Sequence, residues 1–124
     1  MKEKYSSNEL ITSIIKSIEE VKGEEVILID MKRIDNSPCD YFIICDGSSN
    51  TQVNAIVSKI KKNVSKLLSE KPLNIEGLEN CKWVLIDYIN IVVHVFQKEI
   101  RKYYNIESLW GDAKHTKFIS NFKL

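Results

Sequence analysis

Few side chains in this 124-residue chain are suited to chemistry, and their spacing favours binding over catalysis. The three cysteines form no C-x-x-C pair, and neither histidine has a partner at the spacing that a metal site needs. No G-x-x-x-x-G-K-[ST] or G-x-G-x-x-G loop is present to hold a phosphate group. We therefore expect no metal, no cofactor and no catalytic residue.

Gly47–Ser48, directly ahead of a predicted helix, is typical of an anion site at a helix N-terminus. It is also faintly similar to the Gly-Ser of nucleotidyltransferases, which hold two metal ions on an Asp-x-Asp pair in a following strand. The comparable strand here has only Asp87, followed by Tyr88 and Ile89, and a lone carboxylate does not assemble a two-metal centre. His94 is a single imidazole, more often structural than a general base. We expect no enzyme; a divergent nucleotidyltransferase is the alternative.

The most informative side chains lie in two predicted strands, Trp83–Tyr88 and Ile91–Phe96, which Ile89–Asn90 joins into a hairpin. Strand alternation sorts them into two faces. The aliphatic face, expected in the core, holds Val84, Ile86, Tyr88, Ile91, Val93 and Val95. The mixed face holds three cross-strand pairs, Trp83 with Phe96, Leu85 with His94 and Asp87 with Val92.

The mixed face resembles the centre of a protein interface, with two aromatic anchors and few charges. The alternative is that another helix covers this face and that Asp87 pairs with His94 or Arg101; composition alone leaves both open. The Ile89–Asn90 turn has an unusual composition, because a two-residue hairpin loop requires residues that tolerate positive φ. Ile89 suits that badly, so either the turn is longer or Ile89 is strained.

The elements that carry this hairpin follow from hydrophobic periodicity. Helices are predicted from the Ser6/Glu9 cap to about Lys22, with Gly23 as the stop, from Asn50 to about Glu70 behind a Ser49/Gln52 cap, and over Lys98–Tyr104. Further strands are predicted over Glu24–Asp30, Tyr41–Cys45 and a short piece after Pro72, and Ile106–Trp110 closes the fold. This order predicts one α/β domain of the α+β-like kind, with a mixed, mostly five-stranded sheet packed with helices.

The charges nearly cancel, at 18 basic and 17 acidic residues, which disfavours a nonspecific nucleic-acid or membrane binder. Lys59, Lys62 and Lys66, with Lys61 near the edge, form a ridge on the second helix; we favour a solvated face over an RNA-facing one. No apolar run approaches the ~18 residues of a membrane span. The N-terminus resembles neither a signal nor a transit peptide, so we expect a cytoplasmic protein with reduced thiols.

Three segments together resemble a known family. DYFIICDGSSNTQV (40–53), WVLIDYINIVVHVF (83–96) and RKYYNIESLW (101–110) are similar, in order and spacing, to the ribosomal silencing factor or Iojap family. The resemblance covers roughly residues 8–110 and implies a nucleotidyltransferase-like fold without the catalytic carboxylates. One departure is the turn, where the family usually has Gly-Asp in place of Ile89–Asn90.

The resemblance also implies a function. Family members bind large-subunit ribosomal protein fourteen and sterically block joining of the small and large subunits, notably under nutrient limitation; organellar relatives assist large-subunit assembly. The family's contact region falls on the strand with Trp83, Leu85, Asp87 and Tyr88 and on the neighbouring strand with Val92, His94 and Phe96. Its closing motif, with Tyr104 and Trp110, could be contact or core, and we count both among nine expected contact residues. Leu109 in the closing motif is expected in the core. A minor contact with ribosomal RNA and a homodimer through the hairpin face remain further hypotheses.

The two ends of the chain lie outside the expected domain. Residues 1–7 are predicted to be flexible, and residues 111–124 are predicted to be an extension beyond the family's usual end. The extension is basic, with Lys114, His115, Lys117 and Lys123 against Asp112, and resembles a mobile tail. Phe118, Ile119 and Phe122 could dock it on the domain.

Overall fold

The computed structural model describes residues 6–118, which form one mixed sheet with helices on both faces. The helices are α1 (Ser7–Glu20), α2 (Asn50–Leu68), α3 (Lys98–Tyr104) and α4 (Ile106–Leu109). The strands are β1 (Glu24–Asp30), β2 (Tyr41–Gly47), β3 (Asn74–Glu76), β4 (Trp83–Asp87), β5 (Ile91–Gln97) and β6 (Lys114–Phe118). The strand order is β3-β4-β5-β2-β1-β6, with β2 and β5 parallel and the other neighbours antiparallel. The relation of this sheet to nucleotidyltransferases stays a prediction.

Both long helices begin at the predicted serine caps. The Ser6 hydroxyl accepts the backbone N–H of Glu9, and the Glu9 carboxylate accepts the backbone N–H of Ser6, which completes a capping box. At α2 the Ser49 hydroxyl accepts the N–H of Gln52, but the Gln52 side chain turns to Ser48 instead. The second box is therefore only half formed.

α1 ends at Glu20, two residues before the predicted end, and its left-handed residue comes one position before the predicted Gly23. Lys22, at φ +62°, takes the left-handed position expected for Gly23. Lys22 N–H donates to the Glu19 carbonyl and Gly23 N–H to the Ile18 carbonyl, the two bonds of a Schellman motif. Gly23 is required for space, because an added Cβ would lie 2.4 Å from the Ile18 side chain.

The hairpin of β4 and β5 has the predicted register. Its cross-strand pairs on the mixed face are Trp83 with Phe96, Leu85 with His94 and Asp87 with Val92. Tyr88 N–H donates to the Ile91 carbonyl at 2.9 Å and closes the two-residue turn. The sequence predicted either a longer turn or strain at Ile89. The turn has two residues and Ile89 has φ +76°, so Ile89 is strained.

The two faces of the sheet are covered unequally. α1 and α2 pack on the face whose core contains all six predicted hairpin residues, Val84, Ile86, Tyr88, Ile91, Val93 and Val95. On the second face, a smaller cluster gathers side chains from β1, β2, β5, α4 and the loop at 31–40, namely Ile29, Met31, Cys39, Phe42, Ile44, Val92, Phe96 and Ile106. Within residues 6–118 no helix combines the length and apolarity needed to cross a membrane.

The sixth strand, β6, corrects the prediction of a mostly five-stranded sheet. Lys114–Phe118 pairs antiparallel with β1, so these five residues form sheet where a mobile tail was predicted. Hydrophobic periodicity did not predict this strand because four of its five side chains are exposed and polar. Such a composition suits an edge strand and contains no apolar run. Ile119, Phe122 and Lys123 lie outside the described residues, and the division of the chain at 8–110 stays a prediction.

The hairpin turn provides a test of local strain. Replacing Ile89 with Asn should raise the free energy of unfolding by about 1 kcal/mol, because Asn tolerates left-handed backbone and a β-branched residue does not. Ile89 is mostly exposed, so little burial is lost. Urea unfolding measures the change. Ile89→Val keeps the branched Cβ and should give no gain; equal gains for both variants would contradict strain at this φ.

Candidate protein-binding surface

The face of β4 turned away from α1 and α2 is only half covered. Trp83, Leu85 and Asp87, here called the β4 strip, are each half-buried. Their cross-strand neighbours on β5 are closed off from solvent, namely Val92, His94 and Phe96. Of the six residues on the mixed face, the three on β4 can touch a partner and the three on β5 support them from behind.

A continuous series of ring contacts crosses this face. In order along the series, the rings belong to Tyr103, Tyr104, Trp83, His94, Phe42 and Trp110, here called the aromatic row. Successive centroids lie 5.0, 5.0, 6.0, 4.5 and 5.9 Å apart. Phe96 stacks on the Trp83 ring at 4.8 Å. The row ties α3, β4, β5, β2 and the end of α4 together through contacts of favourable aromatic geometry.

A hydrogen bond between Trp83 and His94 fixes the centre of the row. Trp83 Nε1–H donates to His94 Nδ1 at 3.1 Å, and since an indole can only donate, the proton of the imidazole is on Nε2. His94 is 4% exposed, and this burial lowers its pKa to about 4. The imidazole is neutral at pH 7 and remains an acceptor, so the half-buried indole of Trp83 is held in one orientation.

Asp87 pairs with neither of the partners that the sequence suggested. Its Oδ1 accepts the backbone N–H of Ile89 at 2.7 Å, while Arg101 binds Asp46 and Glu107. The alternative of a fully covered face is correct only for the β5 half, because the three β4 residues stay half-buried even though Tyr104 of α3 contacts Trp83. Asp87 therefore stays on the open strip as its one charged member.

The closing motif adds apolar surface beside the β4 strip. Tyr104 is half-exposed against Trp83, and Tyr103 next to it is largely exposed. Leu109 was expected in the core but is 73% exposed. The reason is local: Ile106 is buried and Trp110, one turn later, packs on the second-face cluster, which turns Leu109 outwards.

Some members of this surface were missed or misplaced by sequence reasoning. Tyr103 and Phe42 were not predicted, although alternation along the DYFII run places Phe42 on the face opposite Ile43. Tyr88 was expected at the partner contact, but it lies in the core on the opposite face, as its position in the β4 alternation required.

Comparison with known proteins identifies the family. A family model described as "Ribosomal silencing factor during starvation" matches residues 4–123. This chain belongs to the ribosomal silencing factor family. The ribosomal silencing factor RsfS of Halalkalibacterium halodurans is 43% identical over 108 residues, covering 87% of this chain and 91% of that protein. RsfS of Bacillus subtilis is 42% identical over 92 residues, covering 74% and 76%.

A solved structure and an organellar relative extend the comparison. A crystal structure of a Chromobacterium violaceum protein superposes with a TM-score of 0.82 at 30% identity, covering 96% of this chain and 98% of that chain. Mouse "Mitochondrial assembly of ribosomal large subunit protein 1" is 33% identical over 73 residues, which are 57% of this chain and 32% of that protein. The predicted family membership is thus confirmed.

In this silencing-factor chain the groups that a nucleotidyltransferase-like site would use lie far apart. Asp87 pairs with Val92 at the start of β5, whereas Gly47 pairs with Gln97 at its end. Five residues of strand put about 17 Å between the two positions. A site that needs Gly47–Ser48 and Asp87 together is therefore not assembled.

The predicted anion site at the start of α2 and the cysteine thiols are also poorly placed for chemistry. The Gln52 carbonyl oxygen accepts the Ser48 N–H at 2.8 Å and the Ser48 hydroxyl at 3.0 Å, so the start of α2 is occupied by its own side chain. Burial raises the pKa of Cys39 to about 11 and that of Cys45 to about 12, which keeps both thiols protonated at pH 7. In the part of the chain that the structure describes, no three His, Cys, Asp or Glu side chains are grouped to hold a metal ion.

The lysine ridge lies on a different side of the molecule. Lys59 pairs with Glu20 of α1 at 3.6 Å, while Lys61, Lys62 and Lys66 are exposed. α2 packs on the sheet face opposite the β4 strip. Any contact of this ridge with RNA would therefore use a surface separate from the aromatic row.

The buried imidazole predicts a pH-dependent stability. The unfolded His94 titrates near 6.5 and the folded one near 4, so between these values the unfolded chain binds a proton that the folded protein excludes. The stabilisation is present above pH 6.5 and is lost as the pH falls. The total loss is about 3 kcal/mol, of which about 2 kcal/mol falls between pH 7 and pH 5.

Urea unfolding at pH 7 and pH 5 measures this loss. His94→Gln should be less stable at pH 7 but should lose clearly less stability on acidification than the parent protein. His115→Gln, which changes an exposed histidine, is the matched control and should follow the parent. The same pH dependence in His94→Gln and the parent would show that His94 is not the titrating group.

Proposed function

We propose that this protein associates with the large ribosomal subunit and represses translation, using the β4 strip and the aromatic row as its binding surface. The observation that carries the proposal is the half-buried Trp83, whose ring stacks on Phe96 and whose N–H donates to His94. Indole anchors in fixed positions are typical of interface hot spots. Membership of a family whose proteins are named ribosomal silencing factors supplies the ribosome as the partner.

The partner we propose is large-subunit ribosomal protein fourteen. Of the nine expected contact residues, five reach the surface and can touch it directly, namely Trp83, Leu85, Asp87, Tyr104 and Trp110. The other four act from behind or from the core, namely Tyr88, Val92, His94 and Phe96. Tyr103 and Leu109 add exposed apolar area next to the direct contacts.

The mechanism we propose is steric. A folded chain of this length has a radius of gyration of about 14 Å. Bound at the face of the large subunit that meets the small subunit, a body of that size keeps the two surfaces apart. No bond is made or broken, which is consistent with the separation of Gly47 from Asp87 along the sheet. The protein would act in the cytoplasm, where the subunits join.

A second candidate function is assistance in large-subunit assembly. The name of the mouse relative, which refers to assembly of the mitochondrial large subunit, favours it. Both functions would use the same contact, so binding alone does not separate them. A homodimer through the aromatic row would compete with either, and sedimentation at several protein concentrations would reveal it.

Charge inserted into the proposed surface should release the protein from large subunits. Trp83→Glu should weaken binding by about 30-fold or more, because the loss at a hot spot is about 2 kcal/mol or larger, and Leu109→Glu should weaken binding by placing a charge beside the direct contacts. Leu109 is mostly exposed, so its variant should keep the fold even if Trp83→Glu is destabilised. Co-sedimentation with purified large subunits measures the binding, and circular dichroism checks the fold.

The matched control for these variants is Leu73→Glu. Leu73 is about as exposed as Leu109, at 70% against 73%, but it precedes β3 and, with Lys61 and Lys62 of α2, lines a pocket on the sheet face away from the β4 strip. This variant should bind like the parent protein. Release by Leu73→Glu together with retention of Leu109→Glu would place the contact elsewhere.

A joining assay distinguishes repression from assembly. Parent protein added to separated mature subunits before they are brought to joining conditions should reduce the fraction of joined ribosomes, up to one protein per large subunit. Leu109→Glu should have little effect at the same concentration. Normal joining with parent protein bound to every large subunit would favour the assembly function over steric repression.

A further inference from the structure

The Arg101 guanidinium is a buried junction between four elements. From its place on α3 it donates through Nη1 to the Glu25 carbonyl of β1 at 2.7 Å and to Asp46 Oδ2 of β2 at 3.0 Å. Nε and Nη2 both contact Glu107 Oε2 of α4, at 3.0 and 2.9 Å. The side chains of Arg101 and Asp46 are less than a tenth exposed. We call Arg101, Asp46, Glu107 and the Glu25 carbonyl the Arg101 clamp.

The backbone is shaped around this clamp. Glu25 has φ +52°, and the β1–β2 ladder shifts register between Glu24 and Ile27, so a bulge lies where the carbonyl meets the guanidinium. Asn105 has φ +46° and forms the one-residue link between α3 and α4. That sharp link brings Glu107 back onto Arg101. Two left-handed non-glycine residues at one junction indicate that its geometry is specified.

The clamp holds a segment that has few other anchors. α3 and α4 have seven and four residues, and in them only Arg101 and Ile106 are buried. The same segment carries the exposed Tyr103, Tyr104 and Leu109. Besides Ile106, its apolar anchors are the partly buried Ile100 and Trp110, so the charged contacts of Arg101 are the buried polar ties behind these side chains.

We propose that the Arg101 clamp positions the binding surface: it fixes Tyr103, Tyr104 and Leu109 against the β4 strip, and it sets affinity without touching the partner. Buried ion pairs are weak sources of stability, since apolar replacements of similar volume are often as stable, whereas the directional contacts of a guanidinium fork specify geometry. Lys98 reaches the other Asp46 oxygen from a partly exposed position, so both oxygens of that carboxylate are engaged within the fold. The affinity part of this proposal rests on the proposed ribosome binding; the geometric part does not.

The test uses two variants of the full chain. Arg101→Lys keeps the positive charge but removes the planar guanidinium, whose separate N–H groups reach Glu25, Asp46 and Glu107. The triple variant Asp46→Val, Arg101→Met, Glu107→Leu replaces the ion pairs by apolar groups of similar size. Lys102→Met is the control, because it removes an exposed positive charge from the next position of α3. Nuclear Overhauser contacts between the Trp83 and Tyr104 rings report geometry, and co-sedimentation with purified large subunits reports affinity.

We expect Arg101→Lys and the triple variant to lose or weaken the Trp83–Tyr104 contacts and to bind about tenfold more weakly, with the triple variant melting within a few degrees of the parent. Lys102→Met should match the parent in every measurement. Intact Trp83–Tyr104 ring contacts together with unchanged affinity in Arg101→Lys would overturn the proposal. If the triple variant does not fold, the result for Arg101→Lys is sufficient to test the proposal. If the parent protein itself fails to bind subunits, the proposed function fails, while the ring contacts still decide whether the clamp positions the surface.

Discussion

The architecture depends on unequal helical cover of the two sheet faces. α1 and α2, with 14 and 19 residues, are about 21 and 28 Å long, and they pack against each other and on one face of the sheet. On the other face α3 and α4, with seven and four residues, reach only about 10 and 6 Å. β4 therefore keeps one face open, and its outward side chains are available to a partner.

The side chains of the open face are held in position by contacts within the fold. Phe96 stacks on Trp83, the neutral His94 accepts its N–H, and the Arg101 clamp holds the tyrosines on the other side of the indole. Rigidity matters because ordering a side chain on binding costs free energy that a fixed side chain does not lose. The structure thus combines an uncovered apolar surface with a geometry that is set before any partner arrives.

The sequence predicts local features of this surface well. Alternation along Trp83–Tyr88 and Ile91–Phe96 gave the hairpin register and both faces, because a period of two is a property of the strand itself. The family motifs identified the family. Residue type limited the turn to two outcomes, a longer loop or strain at Ile89, and the left-handed φ of Ile89 selects the second.

Long-range features were not predictable in the same way. Arg101 meets Asp46 and Glu25 across 55 and 76 residues of sequence, and no local pattern marks either contact. β6 lacks the apolar run of a strand because it is a polar edge strand, and Leu109 is turned outwards by the packing of its neighbours.

The central claim, that the β4 strip meets the large subunit, is tested most directly by photo-crosslinking from position 85. We predict a crosslink to ribosomal protein fourteen from position 85 and none from position 73; a crosslink from 73 and none from 85 would contradict the account.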